Sequence, residues 1–162
     1  MDEVGGYLAH TDRVLAAALA VFPDGEPVPA AGLAGEWPQP APPEGASGLA
    51  GATERAAAGY QKAGARIAAL TSAVDVAANA AAEDGQRARA AAVGIRETAR
   101  TRAAGITPET DTLEGVTLLV TSMDERLAAM QQHIAAVREQ MRANAERIRE
   151  QAVELAAVRA SS

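Results

Sequence analysis

The sequence has no cysteine, and only four of its 162 residues are aromatic: Tyr7, Phe22, Trp37 and Tyr60. Without cysteine the chain has no disulfide framework, no thiolate zinc site and no cysteine nucleophile. Because so few side chains are large, the chain cannot fill a globular core of ordinary thickness. The composition favours helices that approach closely over alanine and are held together by scattered Leu, Ile and Met.

A basic surface and a long apolar run are also missing. The net charge of −6 and the pI near 5.0 argue against nucleic-acid binding, since no basic stripe is available for phosphates. The apolar run Val14–Phe22 is shorter than the roughly 20 residues that span a bilayer. It follows Asp2, Glu3 and Asp12, whereas a signal peptide begins with basic residues. We therefore expect no stable membrane insertion and no cleaved signal, and a location either in the cytoplasm or outside the cell.

The strongest pattern present is a heptad repeat of mostly apolar residues. Its steps alternate between three and four residues, as in a coiled-coil helix. The positions are Leu113, Val116, Val120, Met123, Leu127, Met130, Ile134, Val137, Met141, Asn144, Ile148, Gln151, Leu155 and Val158. A helix with one narrow apolar stripe must pack that stripe against another helix.

A second stripe, in which alanines alternate with larger residues, precedes the heptad repeat. It comprises Leu49, Ala56, Tyr60, Ala63, Ile67, Leu70, Val74, Ala77, Ala81, Ala88 and Ile95. Gly85 predicts a kink or short break in this helix, because glycine costs about 1 kcal/mol relative to alanine. Gly105 suits the end of the helix, Thr107 the N-cap of the next and Pro108 its first position. The two stripes therefore predict an antiparallel helical hairpin.

The start of the chain predicts a third, shorter helix. Residues 2–22 place Val4, Leu8, Thr11, Leu15, Ala18 and Phe22 on one face, and Pro23 ends the helix. The fold class is therefore all-α: a long, coiled-coil-like antiparallel hairpin with a short N-terminal helix packed against it. The predicted parts are a helix at 1–22, a Pro/Gly-rich connector at 23–46 and a hairpin at 47–160, with helices at 47–104 and 108–160 and a turn at 105–107.

No pattern of residues predicts catalysis. His10 and His133 lack a ligand partner at suitable spacing on their own helices, and we interpret both as partly exposed helix-face residues. Neighbouring acids such as Asp124 and Glu125 point in different directions on a helix. No phosphate loop, nucleophile elbow or zinc signature is present in the sequence. We expect a non-enzyme with no cofactor, no metal and no small-molecule substrate.

Several residues are candidates for contact with a partner protein. Trp37 in the connector either plugs a helix face or recognises a partner. Asn144 and Gln151 either are solvent-exposed because the end of the hairpin frays, or match a polar position on a partner. The full candidate set is Trp37, Met130, Ile134, Val137, Met141, Asn144, Ile148, Gln151 and Leu155. The sequence predicts that five arginines form a solvated basic surface on one helix: Arg87, Arg89, Arg96, Arg100 and Arg102.

Two segments resemble a known group of proteins. They are Gly48-Leu-Ala-Gly-Ala-Thr-Glu-Arg-Ala-Ala-Ala-Gly-Tyr60 and Thr107-Pro-Glu-Thr-Asp-Thr-Leu-Glu-Gly-Val116. With the Pro/Gly segment holding one Trp, they resemble the small Ala-rich helical proteins of actinobacterial type VII (ESX) secretion, the WXG-type and Esp-type relatives. The group's Trp-x-Gly turn is absent, since Pro38 and Gln39 follow Trp37, and its Tyr-x-x-x-Asp/Glu signal is absent too. The resemblance implies that a partner would carry the secretion signal, and it assigns no functional residue.

The functional expectation is therefore a helical protein–protein interaction module. Its partner would be another helical protein or a second copy of the chain, and the resemblance implies a substrate or accessory protein of a type VII-like secretion system. The alternative is a structural, homo-oligomeric coiled-coil protein with no role in secretion.

Overall fold

Three α-helices make up almost all of the structure, a computed structural model that describes residues 2–22 and 50–160. Helix α1 spans Asp2–Leu19, α2 spans Ala50–Ile106 and α3 spans Leu113–Ala160, with a short 3₁₀ helix at Thr107–Glu109. Within those two ranges there is no β-strand, which confirms the predicted all-α class. The predicted connector at 23–46, with Trp37, lies outside the described residues.

The contacts divide the chain into two compact units. Unit 1 comprises Met1–Glu26 with Ala82–Arg142, and unit 2 comprises Pro27–Ala81 with Ala143–Ser162. Unit 1 contains α1, the C-terminal part of α2 and the first part of α3. Unit 2 contains the N-terminal part of α2 and the last part of α3.

Unit 1 is a three-helix arrangement around one apolar core. Its buried members are Leu15, Phe22, Ala88, Ala92, Ala99, Leu119, Met123 and Met130. All three α2 members are alanines, so the neighbouring helices can approach α2 closely. Thr11 and Leu15 are buried on α1, and Phe22 is buried just after the helix ends at Leu19, three residues earlier than predicted.

The heptad repeat locates only part of the inner face of α3 in unit 1. Met123 is buried as predicted, but Leu113 and Val120 are exposed. Leu119 and Ser122, which the repeat omits, are buried instead. The reason is that this part of α3 packs beside both α1 and α2, so its buried arc is wider than a single coiled-coil stripe.

The turn between α2 and α3 differs from its prediction. Helix α2 continues to Ile106, without the short break predicted near Gly85, and α3 begins at Leu113 rather than at Pro108. Pro108 lies in the short 3₁₀ helix Thr107–Glu109, whose N-cap is Ile106, so the predicted N-cap at Thr107 is wrong. The cap of α3 is Thr112, whose Oγ1 accepts a hydrogen bond of 3.0 Å from the Gly115 amide.

Unit 2 has the thin core expected of an alanine-rich helix pair. Ile67 of α2 is buried with Leu155 and Val158 of α3, and Leu70 packs against them. At the same level, Arg66 Nη2 donates a hydrogen bond of 2.7 Å to Glu154 Oε1. Both members of this ion pair are about half exposed, so the pair contributes little stability.

Candidate protein interaction site

Some candidate partner residues pack inside unit 1. Met130 is only 2% exposed, and Ile134 and Val137 pack against the same core. These three side chains therefore have an internal partner within the chain. Met141 remains 41% exposed and stays a candidate for contact with another protein. Trp37 lies outside the described residues.

The remaining candidates lie in unit 2. Leu155 is buried, Ile148 and Gln151 are half-buried, and Asn144 is only 5% exposed. Arg147 Nη2 donates a hydrogen bond to Asn144 Oδ1. The interpretation of Asn144 as a wet residue on a frayed helix is therefore wrong: the helix pair covers it.

Gln151 differs from Asn144 in its hydrogen bonding. Its Oε1 is buried and has no hydrogen-bond partner among the described residues, and the same holds for Asp75 Oδ1 on α2. A buried acceptor without a donor costs about 1–3 kcal/mol. Polar atoms of this kind lower the stability of a helix pair, and on a coiled-coil seam they also select its register.

An ion-pair cluster fixes α1 to α2 in unit 1. Asp12 accepts two hydrogen bonds of 2.8 Å from Arg96 and two more, at 3.0 and 3.1 Å, from Arg100. These hydrogen bonds hold the pKa of the Asp12 carboxyl well below its ordinary value, and the Asp12 carboxylate raises the pKa of both guanidinium groups. The cluster joins residues that are more than 80 positions apart in the sequence.

The cluster refines the prediction that the arginines form a solvated basic surface, since Arg87, Arg100 and Arg102 are exposed and Arg89 and Arg96 are half-buried. Arg96 and Arg100 face α1, and Arg89 Nη1 donates a hydrogen bond of 3.0 Å to the carbonyl oxygen of Phe22. Arg87 pairs with Asp84 on its own helix. Three of these arginines, Arg89, Arg96 and Arg100, therefore contact the N-terminal segment of the chain.

His133 also has a structural position. Its Nε2 lies 2.7 Å from the carbonyl oxygen of Ala88, so Nε2 carries the proton of this hydrogen bond. Its ring packs against Phe22, with the ring centroids 5.5 Å apart. His133 thus links the end of the α1 segment to α2 and α3, while His10 is exposed.

Tyr7 makes a further contact between α1 and α3. Its hydroxyl donates a hydrogen bond of 3.4 Å to Asp124 Oδ1. Burial and the nearby Asp124 carboxylate raise the pKa of the Tyr7 phenol. This long hydrogen bond and the Asp12 cluster both orient α1 on the other two helices of unit 1.

Large apolar side chains remain exposed on the outer faces of all three helices and just after α1. They are Val14, Val21, Tyr60, Val76, Val93, Leu113, Leu118, Val120, Met141 and Val153. Leu113 is the most exposed of them at 85%, and Val153 in unit 2 is 69% exposed. These side chains are available to another protein, since the inner faces of the same helices are already packed.

One of these surfaces, with Leu113 and Leu118, lies at the start of α3. An open groove of about 920 Å³ is lined by Glu109, Thr112, Leu113, Glu114, Gly115, Thr117, Leu118 and Thr121. We call this surface the α3 groove. The heptad repeat hid it, because the repeat assigned Leu113 to the inside and did not include Leu118 or Thr121.

Gly115 sets how closely the turn approaches the start of α3. A Cβ atom on Gly115 would lie 2.0 Å from the carbonyl oxygen of Glu109, so only glycine lets the turn backbone approach α3 this closely. Because helical residues are spaced by about 100°, Leu113 lies roughly opposite to Gly115 around the helix. The packing of the turn on Gly115 therefore directs Leu113 outward.

Two further observations concern only residues 2–22 and 50–160. No group of three or more His, Cys, Asp or Glu side chains there could hold a metal ion. None of the helices in that part of the chain is long and apolar enough to cross a membrane. In comparisons with known proteins, no family model, no curated protein and no solved structure matches the chain.

Proposed function

We propose that the protein is a helical protein–protein interaction module that acts without catalysis. The observation that carries the proposal is the exposure of Leu113, Leu118 and Val153 on helices whose inner faces are already packed. A helix with apolar residues on both its inner and outer faces can bind a further helix without rearranging its own core. The partner is another helical protein.

The setting that we propose is a type VII-like secretion system, in which the chain is a substrate or an accessory protein. The support is the resemblance of the 48–60 and 107–116 segments to the Ala-rich helical proteins of that system. Because the Tyr-x-x-x-Asp/Glu signal is absent from the sequence, export would depend on a partner that carries it.

Purification of the affinity-tagged protein from its native cell tests both parts of the proposal. The interaction module predicts a complex of defined stoichiometry with a second protein, measured by native mass spectrometry. The secretion setting predicts that the chain reaches the culture medium only when that second protein is present. A chain that purifies as a monomer under all conditions would contradict the interaction module.

A structural homo-oligomer is the second candidate. Gln151 favours it, because its buried Oε1 has no donor among the described residues and a polar residue on a coiled-coil seam often specifies register and partner number. Sedimentation velocity of the purified chain separates the two candidates. A stable homo-oligomer whose mass does not change in cell extract supports the structural role, and a monomer that gains mass with a partner supports the interaction module.

A further inference from the structure

We propose that the α3 groove binds a basic amphipathic helix of a partner protein, one with leucine-like side chains spaced three and four apart and with arginine or lysine beside them. This inference rests on the proposed function and specifies its surface and the chemistry of its partner. It follows from the apolar exposure, the hydrogen bonding and the charge of the groove.

The apolar contribution comes from both edges of the groove. Leu113 is 85% exposed and Leu118 is 52% exposed, and they lie about 140° apart around α3, so one flanks each side. Between them, Thr117 Oγ1 donates a hydrogen bond of 2.8 Å to the Leu113 carbonyl oxygen. Since that hydroxyl already has its partner, Thr117 has little need of a polar ligand.

The hydrogen-bonding groups of the turn are also satisfied within the chain. Thr112 Oγ1 accepts from the Gly115 amide at 3.0 Å and donates to the Glu109 carbonyl oxygen at 3.0 Å. Thr110 Oγ1 donates to the Thr107 carbonyl oxygen at 2.7 Å. Among the residues that line the groove, the groups with no hydrogen bond in the described part of the chain are the Thr121 hydroxyl, apolar carbons and carboxylates.

The chain segment that lines the groove is acidic, and it lies between Arg102 and Arg126 in the sequence. Residues 103–125 contain five carboxylates (Glu109, Asp111, Glu114, Asp124 and Glu125) and no Arg, Lys or His. Asp124 accepts a hydrogen bond from Tyr7, and Glu125 forms an ion pair with Arg126 at 3.5 Å. Glu109, Asp111 and Glu114 are exposed and form no side-chain ion pair in the described part of the chain.

These features together select the partner. Apolar side chains exposed in a groove favour an amphipathic helix, whose anchors recur at three- and four-residue spacing. The three available carboxylates favour basic residues beside those anchors and disfavour acidic ones. An anionic membrane surface would be repelled by the same carboxylates. A basic amphipathic helix is the ligand that satisfies both requirements.

The test uses the full chain and two fluorescent helical peptides of about 18 residues, long enough for five turns. Both peptides carry leucines at three- and four-residue spacing, flanked by arginine in one and by glutamate in the other. Fluorescence anisotropy measures their affinity at about 50 and 300 mM salt. We expect the arginine peptide to bind at least about tenfold more tightly than the glutamate peptide at the lower salt.

Variants locate the binding surface. Replacing both groove leucines, Leu113→Ser and Leu118→Ser, should weaken binding of the arginine peptide at least about tenfold. The matched control is Val76→Ser, a 66% exposed apolar residue of α2 in unit 2, which should leave the affinity unchanged. A further variant with Glu109→Gln, Asp111→Asn and Glu114→Gln should bind more weakly and lose most of the salt dependence.

Several outcomes would overturn the proposal. The α3 groove is not the binding surface if the leucine variant, shown to be folded by circular dichroism, binds as tightly as the control. Equal affinity for the two peptides, or no affinity for either, would contradict the proposal that the ligand is a basic helix. Self-association of the wild-type chain that the leucine variant abolishes would make a second copy the occupant.

A complex purified from the native cell keeps this proposal distinct from the proposed function. A partner protein that binds the wild-type chain and the leucine variant equally leaves the interaction module standing and overturns its assignment to the α3 groove. If no partner is found in the cell but the arginine peptide binds tightly, the result contradicts the interaction module and supports the α3 groove as a binding surface for basic helices.

Discussion

Replacing Gly115 with alanine should destabilise the protein even though alanine is the better helix former. The added Cβ would lie 2.0 Å from the Glu109 carbonyl oxygen and 2.5 Å from its carbonyl carbon. Both atoms belong to the backbone, so no side-chain rotation can relieve the contact. The turn must therefore move away from the first turn of α3.

The magnitude follows from the hydrogen bonds that hold this turn. Moving Glu109 away breaks the bonds of its carbonyl oxygen with the Thr112 amide, at 3.2 Å, and with Thr112 Oγ1, at 3.0 Å. These bonds contribute about 1 kcal/mol each, and the Thr112 cap about 1 kcal/mol more. Alanine returns about 1 kcal/mol through its helix propensity. The net loss in the free energy of unfolding is about 2 kcal/mol.

Gly94→Ala provides the matched control. Gly94 is exposed in the interior of α2, and its added Cβ would meet nothing within 4 Å. This substitution should stabilise the protein by about 0.5–1 kcal/mol. Urea unfolding followed by circular dichroism measures both variants. Equal stabilisation by the two substitutions would refute the close approach of the turn to Gly115.

Three more predictions concern stability. Asp12→Asn should lower the free energy of unfolding, measured in urea at pH 7, by about 1–2 kcal/mol, a value reduced for the partial exposure of the carboxylate. Because folding depresses the pKa of Asp12, this loss should shrink below about pH 4, and a loss that is unchanged at low pH would contradict the ion pairs. Leu119→Ala should lower the free energy of unfolding by about 2–5 kcal/mol and Leu118→Ala by less than about 0.5 kcal/mol, since the two side chains are 1% and 52% exposed. Equal losses in chemical unfolding would contradict an α3 with one buried and one exposed face. Gln151→Leu should raise stability by about 1 kcal/mol in thermal unfolding, because it removes a buried acceptor that lacks a donor; a fall would mean that Oε1 has a donor.

The parts of the fold that follow from local periodicity could be predicted from the sequence. Thr11 and Leu15 of α1, and Phe22 just after it, are buried as their spacing predicts. The heptad repeat likewise locates Met123 and Met130 on the inner face of α3. In these places one stripe meets one neighbouring surface, so the spacing of apolar residues is sufficient information.

The repeat failed where α3 has two neighbours. Leu119 and Ser122 fall outside the coiled-coil positions, yet both are buried, because α1 widens the buried arc of α3. The start of α3 was missed for a different reason. Pro108 signals a helical start correctly, but no local pattern distinguishes a three-residue 3₁₀ helix from the first turn of a long α-helix.

The contacts that position α1 could not be predicted by spacing at all. Asp12 and its arginine partners lie on different helices, and their pairing depends on how those helices pack. A weak signal was available: Arg96 and Arg100 are four residues apart and flank Ala99, a member of the α2 core. The α3 groove was hidden for the same reason, since the exposure of Leu113 follows from the packing of the turn on Gly115.

Thiol labelling tests most directly whether α3 has one packed face and one free face that binds a partner. The chain has no cysteine, so Thr121→Cys and Ser122→Cys each introduce a single thiol at adjacent positions, the first exposed in the α3 groove and the second 4% exposed. Ser122 suits the change because its hydroxyl has no hydrogen-bond partner among the described residues.

The rate of reaction with a fluorescent maleimide is the measurement. We expect the thiol from Thr121→Cys to react at least about 100-fold faster than the thiol from Ser122→Cys, whose labelling requires local opening of the helix packing. Adding the arginine peptide should slow only the faster reaction. Equal rates at the two positions would contradict the packing of α3, and an unchanged rate at the exposed position with the peptide bound would contradict the α3 groove as the binding surface.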